Sequence, residues 1–319
     1  MTEPPLRIVF MGTPAFAVPC LERLVADGYE VVAVYTQPDR PAGRSGAPVK
    51  SPVKRAALRH DLLVLQPRSL RRPEEQERLR EQAPDLVVVA AYGLILPQAV
   101  LDVPRYGGIN VHPSLLPRHR GPAPITGAIL AGDSETGVTI MLMDAGMDTG
   151  PILAQRSVPI DLLDTTGSLT DRLSVMSQQL LSETLPRWVR GELTPQPQDD
   201  SKATYTALLK KADGVIDWSQ PAEVISRQVR AYQPWPGAYT TWQGRQLKLL
   251  QVEASETSAE AASSAPSTVI ASGLEAAVQT GWGMLRLLVL QLEGRKPMPV
   301  AEFLRGARGF IGSKLGEQS

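Results

Sequence analysis

Residues 6–36 read LRIVFMGTPAFAVPCLERLVADGYEVVAVYT, and this stretch decides the fold. Leu6–Met11 is a short apolar run of strand type, broken by Gly12-Thr13-Pro14. Ala15–Ala26 then takes helical spacing, and Glu30–Thr36 is a second run, continuous and β-branched, as a strand buried on both faces requires. Strand, helix, strand in immediate succession predicts a parallel pair with a crossover helix. Working outward, Leu62–Leu65, Asp85–Ala90 and Gly108–Val111 predict further strands, with helices over Ser51–His60 and Pro73–Gln82 between them. Gly137–Met143 and Pro151–Pro159 add two more strands, and a long amphipathic helix over Thr166–Arg190 closes the unit. The expected class is α/β, a doubly wound, mostly parallel Rossmann-like sheet over residues 1–190.

Past that unit the composition changes. Gly191–Lys202, GELTPQPQDDSK, is polar and unpatterned, so residues 191–203 are expected to be a linker. Residues 204–319 carry short strand patterns at Ala238–Trp242, Gln246–Val252, Thr268–Ala271, Ala276–Thr280 and Met284–Leu290. One helix, Pro221–Ala231, precedes them and a short one, Val300–Arg305, follows. Strands at this density with few helices predict a small OB-like β-barrel. Ala254–Ser267 is a low-complexity Ser/Ala/Glu loop, to which no function is assigned.

Composition narrows the function classes. At 319 residues the chain is long enough for two domains. Its formal net charge of +0 argues against holding nucleic acid by bulk positive charge, while leaving room for a local basic patch. A single cysteine, Cys20, excludes an intrachain disulfide and a multi-cysteine zinc site. No apolar run approaches the roughly 20 residues that span a bilayer. Residues Met1–Arg7, proline-bearing ahead of a short apolar run, are unlike a secretory signal. A cytoplasmic, monomeric protein with no membrane contact is expected.

The residues that carry chemistry lie in two loops. In Gly108-Ile109-Asn110-Val111-His112-Pro113, period 2 sets Asn110 and His112 on one strand face, and Pro113 ends the strand. An amide beside an imidazole at the carboxyl end of a sheet strand suits an active site, although a satisfied structural histidine fits the same pattern. Asp148 stands in Asp144-Ala145-Gly146-Met147-Asp148-Thr149-Gly150, a glycine-flanked loop just past a strand. It is either a carboxylate poised at a ligand or a turn aspartate bonding its own backbone. With no serine or cysteine beside an evident base, the three suit acid/base and oxyanion work rather than nucleophilic catalysis. His119 reads as a solvated loop residue and His60 as a helix-end cation. No His or carboxylate spacing suggests a metal, so none is expected. Gly12 alone lacks the G-x-G-x-x-G needed to cradle a pyrophosphate, and reads as a tight turn.

These motifs resemble the folate-dependent formyltransferases. The resemblance rests on Asn110-x-His112-Pro113-Ser114-Leu115-Leu116-Pro117, Arg120-Gly121-x-x-Pro124-Ile125, and Asp148 in its Met-Asp-x-Gly-x-Asp-Thr-Gly setting. Gln37-Pro38-Asp39-Arg40-Pro41-Ala42-Gly43-Arg44, Ser51-Pro52-Val53-Lys54 and Ala91-Tyr92-Gly93-Leu94-Ile95-Leu96-Pro97 extend it toward the branch acting on methionyl-tRNA. It continues more faintly through Asp217-Trp218 and Pro234–Ala238. By that resemblance the donor is 10-formyltetrahydrofolate, released as tetrahydrofolate, and the acceptor is the α-amino group of initiator methionyl-tRNA. Asn110 and a protonated His112, its pKa raised by Asp148, would stabilise the tetrahedral oxyanion, while Asp148 positions a water. Tyr92 and Ser114, Leu115, Leu116 and Pro117 would border the folate through backbone amides and carbonyls. The loop holding Arg40, Arg44, Lys50 and Lys54 would meet the tRNA acceptor end. Lys210 and Lys211, with Arg245, Lys248, Arg295 and Lys296, are candidates for a second basic face. Formylation of an amino sugar nucleotide, or hydrolysis of the folate, are the alternative outcomes of the same chemistry.

Overall fold

The computed structural model describes residues 5–41, 47–255, 265–273 and 275–317. Contacts divide the chain into two compact units. The first holds the residues up to Pro124, Glu135–Pro159 and Thr170–Ala207; the second holds Ile125–Ser134, Ile160–Leu169 and the residues from Leu208 onward.

In the first unit the strands are β1 (Arg7–Gly12), β2 (Glu30–Tyr35), β3 (Arg40–Pro41), β4 (Pro48–Val49), β5 (Val64–Leu65), β6 (Leu86–Ala90), β7 (Gly108–His112), β8 (Glu135–Leu142) and β9 (Ile152–Pro159). Seven of them form one sheet in the order β5-β2-β1-β6-β7-β8-β9. The first five of that order run parallel, β8 runs against them, and β9, antiparallel to β8, returns to their direction. β3 and β4 make a separate two-stranded ribbon. Helices α1 (Val18–Ala26), α2 (Pro52–Arg59), α3 (Pro73–Glu81) and the short α4 (Gln98–Leu101) join the parallel strands. The run Leu-Val-Val-Val-Ala of β6 is buried throughout, which is why a continuous apolar stretch is stable there. Strand order reverses beside β1, so the carboxyl ends of β1, β6 and β7 open onto the crevice where such sheets bind ligands. At the β1 turn, a Cβ on Gly12 would lie 2.9 Å from that of Ala17, so this glycine serves close packing.

Helix α5 (Pro124–Ala131) was absent from the sequence reading because its Pro-Ile-Thr-Gly-Ala-Ile-Leu-Ala run has no polar face to set a period. Both α5 and α6 (Thr166–Val189) run through boundaries between the two units. The stretch 191–203 groups with the first unit, where Ile152 and Gln196 exchange backbone hydrogen bonds of 2.8 Å.

In the second unit α7 (Ala222–Ala231) precedes β10 (Ala238–Trp242), β11 (Arg245–Ser255), β12 (Val269–Ser272), β13 (Glu275–Gln279), β14 (Met284–Leu292) and β15 (Met298–Pro299), followed by α8 (Val300–Gly306). The antiparallel order is β10-β11-β14-β13-β12, with β15 on β14. The tail bonds both sheet edges: the Leu315 N–H donates to Ser267 beside β12, and the Gly316 N–H to Thr241 in β10. That closure gives the small barrel expected from the strand density. Trp242, Phe303 and Phe310 fill it edge-on, with ring centroids 5.0–5.6 Å apart. Residues 256–264 of the low-complexity loop lie outside the described residues.

Candidate active site

β7 delivers Asn110 and His112 to the same face, as period 2 requires, and Pro113 follows where the ladder stops. Asp148 reaches them from the loop between β8 and β9, its backbone in the left-handed region at φ 56°. Its Oδ1 accepts a hydrogen bond from Asn110 Nδ2 at 3.2 Å and lies 3.6 Å from His112 Nδ1. Its Oδ2 accepts the backbone N–H of Gly121 at 2.8 Å. Three polar side chains from two separate stretches therefore meet around one carboxylate oxygen.

The electrostatics of His112 differ from the sequence expectation. The ring is 4% exposed, and burial pushes its pKa below the usual histidine value. The Asp148 carboxylate and the His119 carbonyl pull the other way without overcoming the lost hydration. Proximity to a carboxylate alone, the basis for expecting a protonated ring, is thus outweighed by desolvation. The neutral tautomer follows from geometry. His112 Nε2 faces the His119 carbonyl oxygen at 3.0 Å, which can only accept, so Nε2 carries the hydrogen and Nδ1 keeps its lone pair toward Asp148. His119 is likewise not a solvated loop residue. It is 6% exposed, at φ 58°, with its N–H donating to Thr204 Oγ1 at 2.8 Å.

The Ser114–Pro117 turn beside the site is tied down by its own polar groups. Thr139 Oγ1 donates to the Ser114 carbonyl at 2.6 Å and accepts the Leu116 N–H at 3.1 Å. Gln155 Nε2 donates to the Leu116 carbonyl at 2.8 Å and to Thr139 Oγ1 at 2.9 Å. Ser114 Oγ donates to the Arg118 carbonyl. These bonds to β8 and β9 occupy the Ser114 carbonyl and both main-chain polar groups of Leu116, two residues that are themselves buried, while Leu115 and Pro117 line a cavity of about 510 Å³ with Arg118 and Ser201–Thr204. The Tyr92 ring is core, buried among Met11, Tyr35 and Val89, and the Tyr92 carbonyl already accepts from Thr13 and Gln37.

The basic loop splits in role. Lys54 Nζ donates to Asp39 and Gln66 at 2.7 and 2.6 Å, which holds the Asp39 carboxyl below its ordinary pKa. Lys54 therefore braces the loop instead of presenting its charge outward. Arg40 and Lys50 are exposed and line a cavity of about 460 Å³ with Thr13, Ser51 and Arg55. Arg44 lies outside the described residues. Lys210 and Lys211 are exposed in the second unit, at the start of a short 3-10 turn. Among the described residues no cluster of His, Cys, Asp or Glu could hold a metal ion, and no helix is long and apolar enough to cross a membrane.

Sequence reading missed Thr139, Gln155, Arg120 and Gln198 as parts of the site. Arg120-Gly121 was visible as a motif; the other three carried no local signal, because their partners are far along the chain.

Comparison with known proteins places these residues in context. The family profile described as "Formyl transferase" matches residues 6–185, and "Formyl transferase, C-terminal domain" matches residues 208–308. The methionyl-tRNA formyltransferase of Roseiflexus sp. (strain RS-1) is 54% identical over 316 residues, covering 99% of this chain and 97% of its own. That of Geobacter sulfurreducens is 48% identical over 313 residues, covering 98% and 97%. Among solved structures, the N-formyltransferase from Helicobacter canadensis, in complex with folinic acid and dTDP-3-aminofucose, has a TM-score of 0.66 at 18% identity, covering 88% of this chain and 99% of its own. HypX from Aquifex aeolicus with tetrahydrofolic acid has a TM-score of 0.60 at 18% identity, and the chain spans about half of HypX, 49%. At such identities these structures share the fold alone.

Proposed function

The chain belongs to the formyltransferase family, on its methionyl-tRNA branch, and from that premise we propose that it transfers the formyl group of 10-formyltetrahydrofolate to the α-amino group of methionyl initiator tRNA. The observation that carries the mechanism is the meeting of Asn110, His112 and Asp148 around one oxygen.

The folate supplies a formyl carbon on N10, and the protein's residues manage charge and protons around it. Asn110 Nδ2 has a second hydrogen beyond the one given to Asp148, available to the formyl oxygen as it becomes negative. His112, neutral at rest, offers Nδ1 as acceptor for the proton that the attacking amine must lose. The imidazolium so formed sits beside the Asp148 carboxylate, which stabilises it until the proton passes to the departing folate nitrogen. One C–N bond forms, one breaks, and one proton moves from amine to N10. The side chains present suit a flat apolar ring: Ile95, in the loop after β6, and Met147, next to Asp148, are 70% and 55% exposed. Leu115 and Pro117 add a wall, and the Tyr92 turn borders it through the main chain.

We assign catalysis to residues 1–190 and tRNA holding to 204–319. Exposed Arg40 and Lys50 would meet the acceptor end, and Lys210 and Lys211 phosphates; Arg44 is assigned to the acceptor-end contact from the sequence alone. The enzyme acts as a monomer in the cytoplasm. The test is transfer of labelled formyl from the folate to charged initiator and elongator tRNA. Labelling of the initiator species is expected to dominate; equal labelling would remove the initiator assignment. Transfer to an amino sugar nucleotide instead, or formate release without an acceptor, would replace the reaction altogether.

A further inference from the structure

The segment past residue 190 reaches back into the site through one side chain. Gln198 Nε2 donates to the backbone carbonyls of Asp148 at 2.8 Å and Gly150 at 2.7 Å, spending both amide hydrogens across the left-handed bend. Its Oε1 accepts from Arg120 Nε at 3.1 Å and Nη2 at 2.8 Å. Arg120 is 1% exposed, and its guanidinium also reaches Asp200 Oδ1 at 2.7 Å and the Tyr205 hydroxyl at 3.2 Å, 5.9 Å above that ring. A free primary amide can present either end; here the guanidinium takes the oxygen, so the nitrogen must point at the two carbonyls. A buried charge persists when its donors are satisfied, and this arrangement satisfies them while fixing the amide.

A second tie runs parallel. The Arg120 backbone is held on both sides, its N–H donating to Thr204 and its carbonyl accepting from Thr206, both at 2.8 Å. This fixes the direction of the next N–H, that of Gly121, which bonds Asp148 Oδ2. Residues 198–206 therefore hold the Asp148 backbone directly, through Gln198, and one carboxylate oxygen indirectly, through Gly121. A left-handed aspartate has few conformational reasons to stay in place without such ties.

We propose that Gln198, oriented by buried Arg120, is a positioning residue that holds Asp148 in its reactive placement during formyl transfer. The inference rests on Asp148 serving that transfer. Gln198→Glu is the informative variant: it keeps an acceptor for Arg120 and turns the donor facing Asp148 and Gly150 into an oxygen. Its kcat is expected to fall at least about tenfold, with KM for folate and tRNA within about twofold, since misplacement rather than binding is affected. Gln198→Met, of similar length with no donor, is expected to behave alike. In an Asp148→Asn background, Gln198→Glu is expected to add no further loss.

An unchanged kcat in Gln198→Glu, a loss confined to KM, or losses that multiply with Asp148→Asn would each overturn the proposal. Unfolding of both Gln198 variants would also overturn it, because the residue would then serve stability. Full activity of Asp148→Asn alone would instead overturn the underlying reading of the site.

Discussion

At the scale of single residues, the site divides its labour by what each side chain has left after its structural bonds. Asn110 retains one amide hydrogen beyond the one given to Asp148, so Asn110→Ala would remove the proposed oxyanion donor together with that bond. Loss of one such donor costs about 3 kcal/mol in barrier, so formyl transfer should slow at least roughly a hundredfold while the thermal midpoint hardly moves; a rate within about threefold of wild type would remove Asn110 from the chemistry. His112, the proposed base, is dominated by burial, which favours its neutral form on folding. Because the folded pKa is depressed, the associated stability is lost as pH falls below the unfolded value of about 6.5. With three histidines in the chain, NMR titration can follow His112 directly. Its midpoint should lie below about 6.5, and lower again in Asp148→Asn, where the carboxylate that pulls it upward is gone. A midpoint above 7 would restore the resting imidazolium. The sequence could show that Asn110 and His112 share a face, because alternation is local. It could not show the sign of the His112 shift, which depends on how much water the assembled site excludes.

At the scale of elements, the parallel core was legible because β1, β2 and β6 are uninterrupted apolar runs that only doubly covered strands tolerate. The reversal at β8 was not, since direction leaves no mark on an alternating pattern. That reversal matters: it pairs Thr139 with His112 and brings the Thr139 hydroxyl under the Ser114–Pro117 turn. Thr139→Val keeps shape while stripping that hydroxyl from Ser114, Leu116 and Gln155. Buried groups left unpaired cost about 1–3 kcal/mol each, so urea unfolding should show about 3 kcal/mol lost. A change below about 0.5 kcal/mol would mean that the turn is held by packing, not by this hydroxyl. The same reasoning explains why residues 191–203 read as a linker: their bonds go to segments distant along the chain, so no period of 2 or 3.6 is imposed on them.

At the scale of the whole molecule, 33 basic against 33 acidic residues leave no net charge to attract a polyanion, so phosphate contacts must come from a few exposed cations. Lys54 is spent on Asp39, and Arg286 on Glu253 and Glu275, so neither offers an unpaired charge. Lys210 and Lys211, exposed at the start of the second unit, are the candidates whose removal should be felt at tRNA alone. Replacing both by alanine should raise KM for tRNA several-fold, leave KM for the folate unchanged, and lower the salt slope of tRNA binding by about one per lysine. The arithmetic is discriminating because it separates two origins of affinity. Counterion release scales with the number of phosphates neutralised, whereas contacts to bases or to the methionyl group do not. A tRNA affinity that weakens without any change of slope would assign these lysines to shape or base contacts. A slope near zero in the parent enzyme would show that a neutral chain holds its polyanionic substrate without phosphate neutralisation, and would remove the basic-face assignment for both lysines at once.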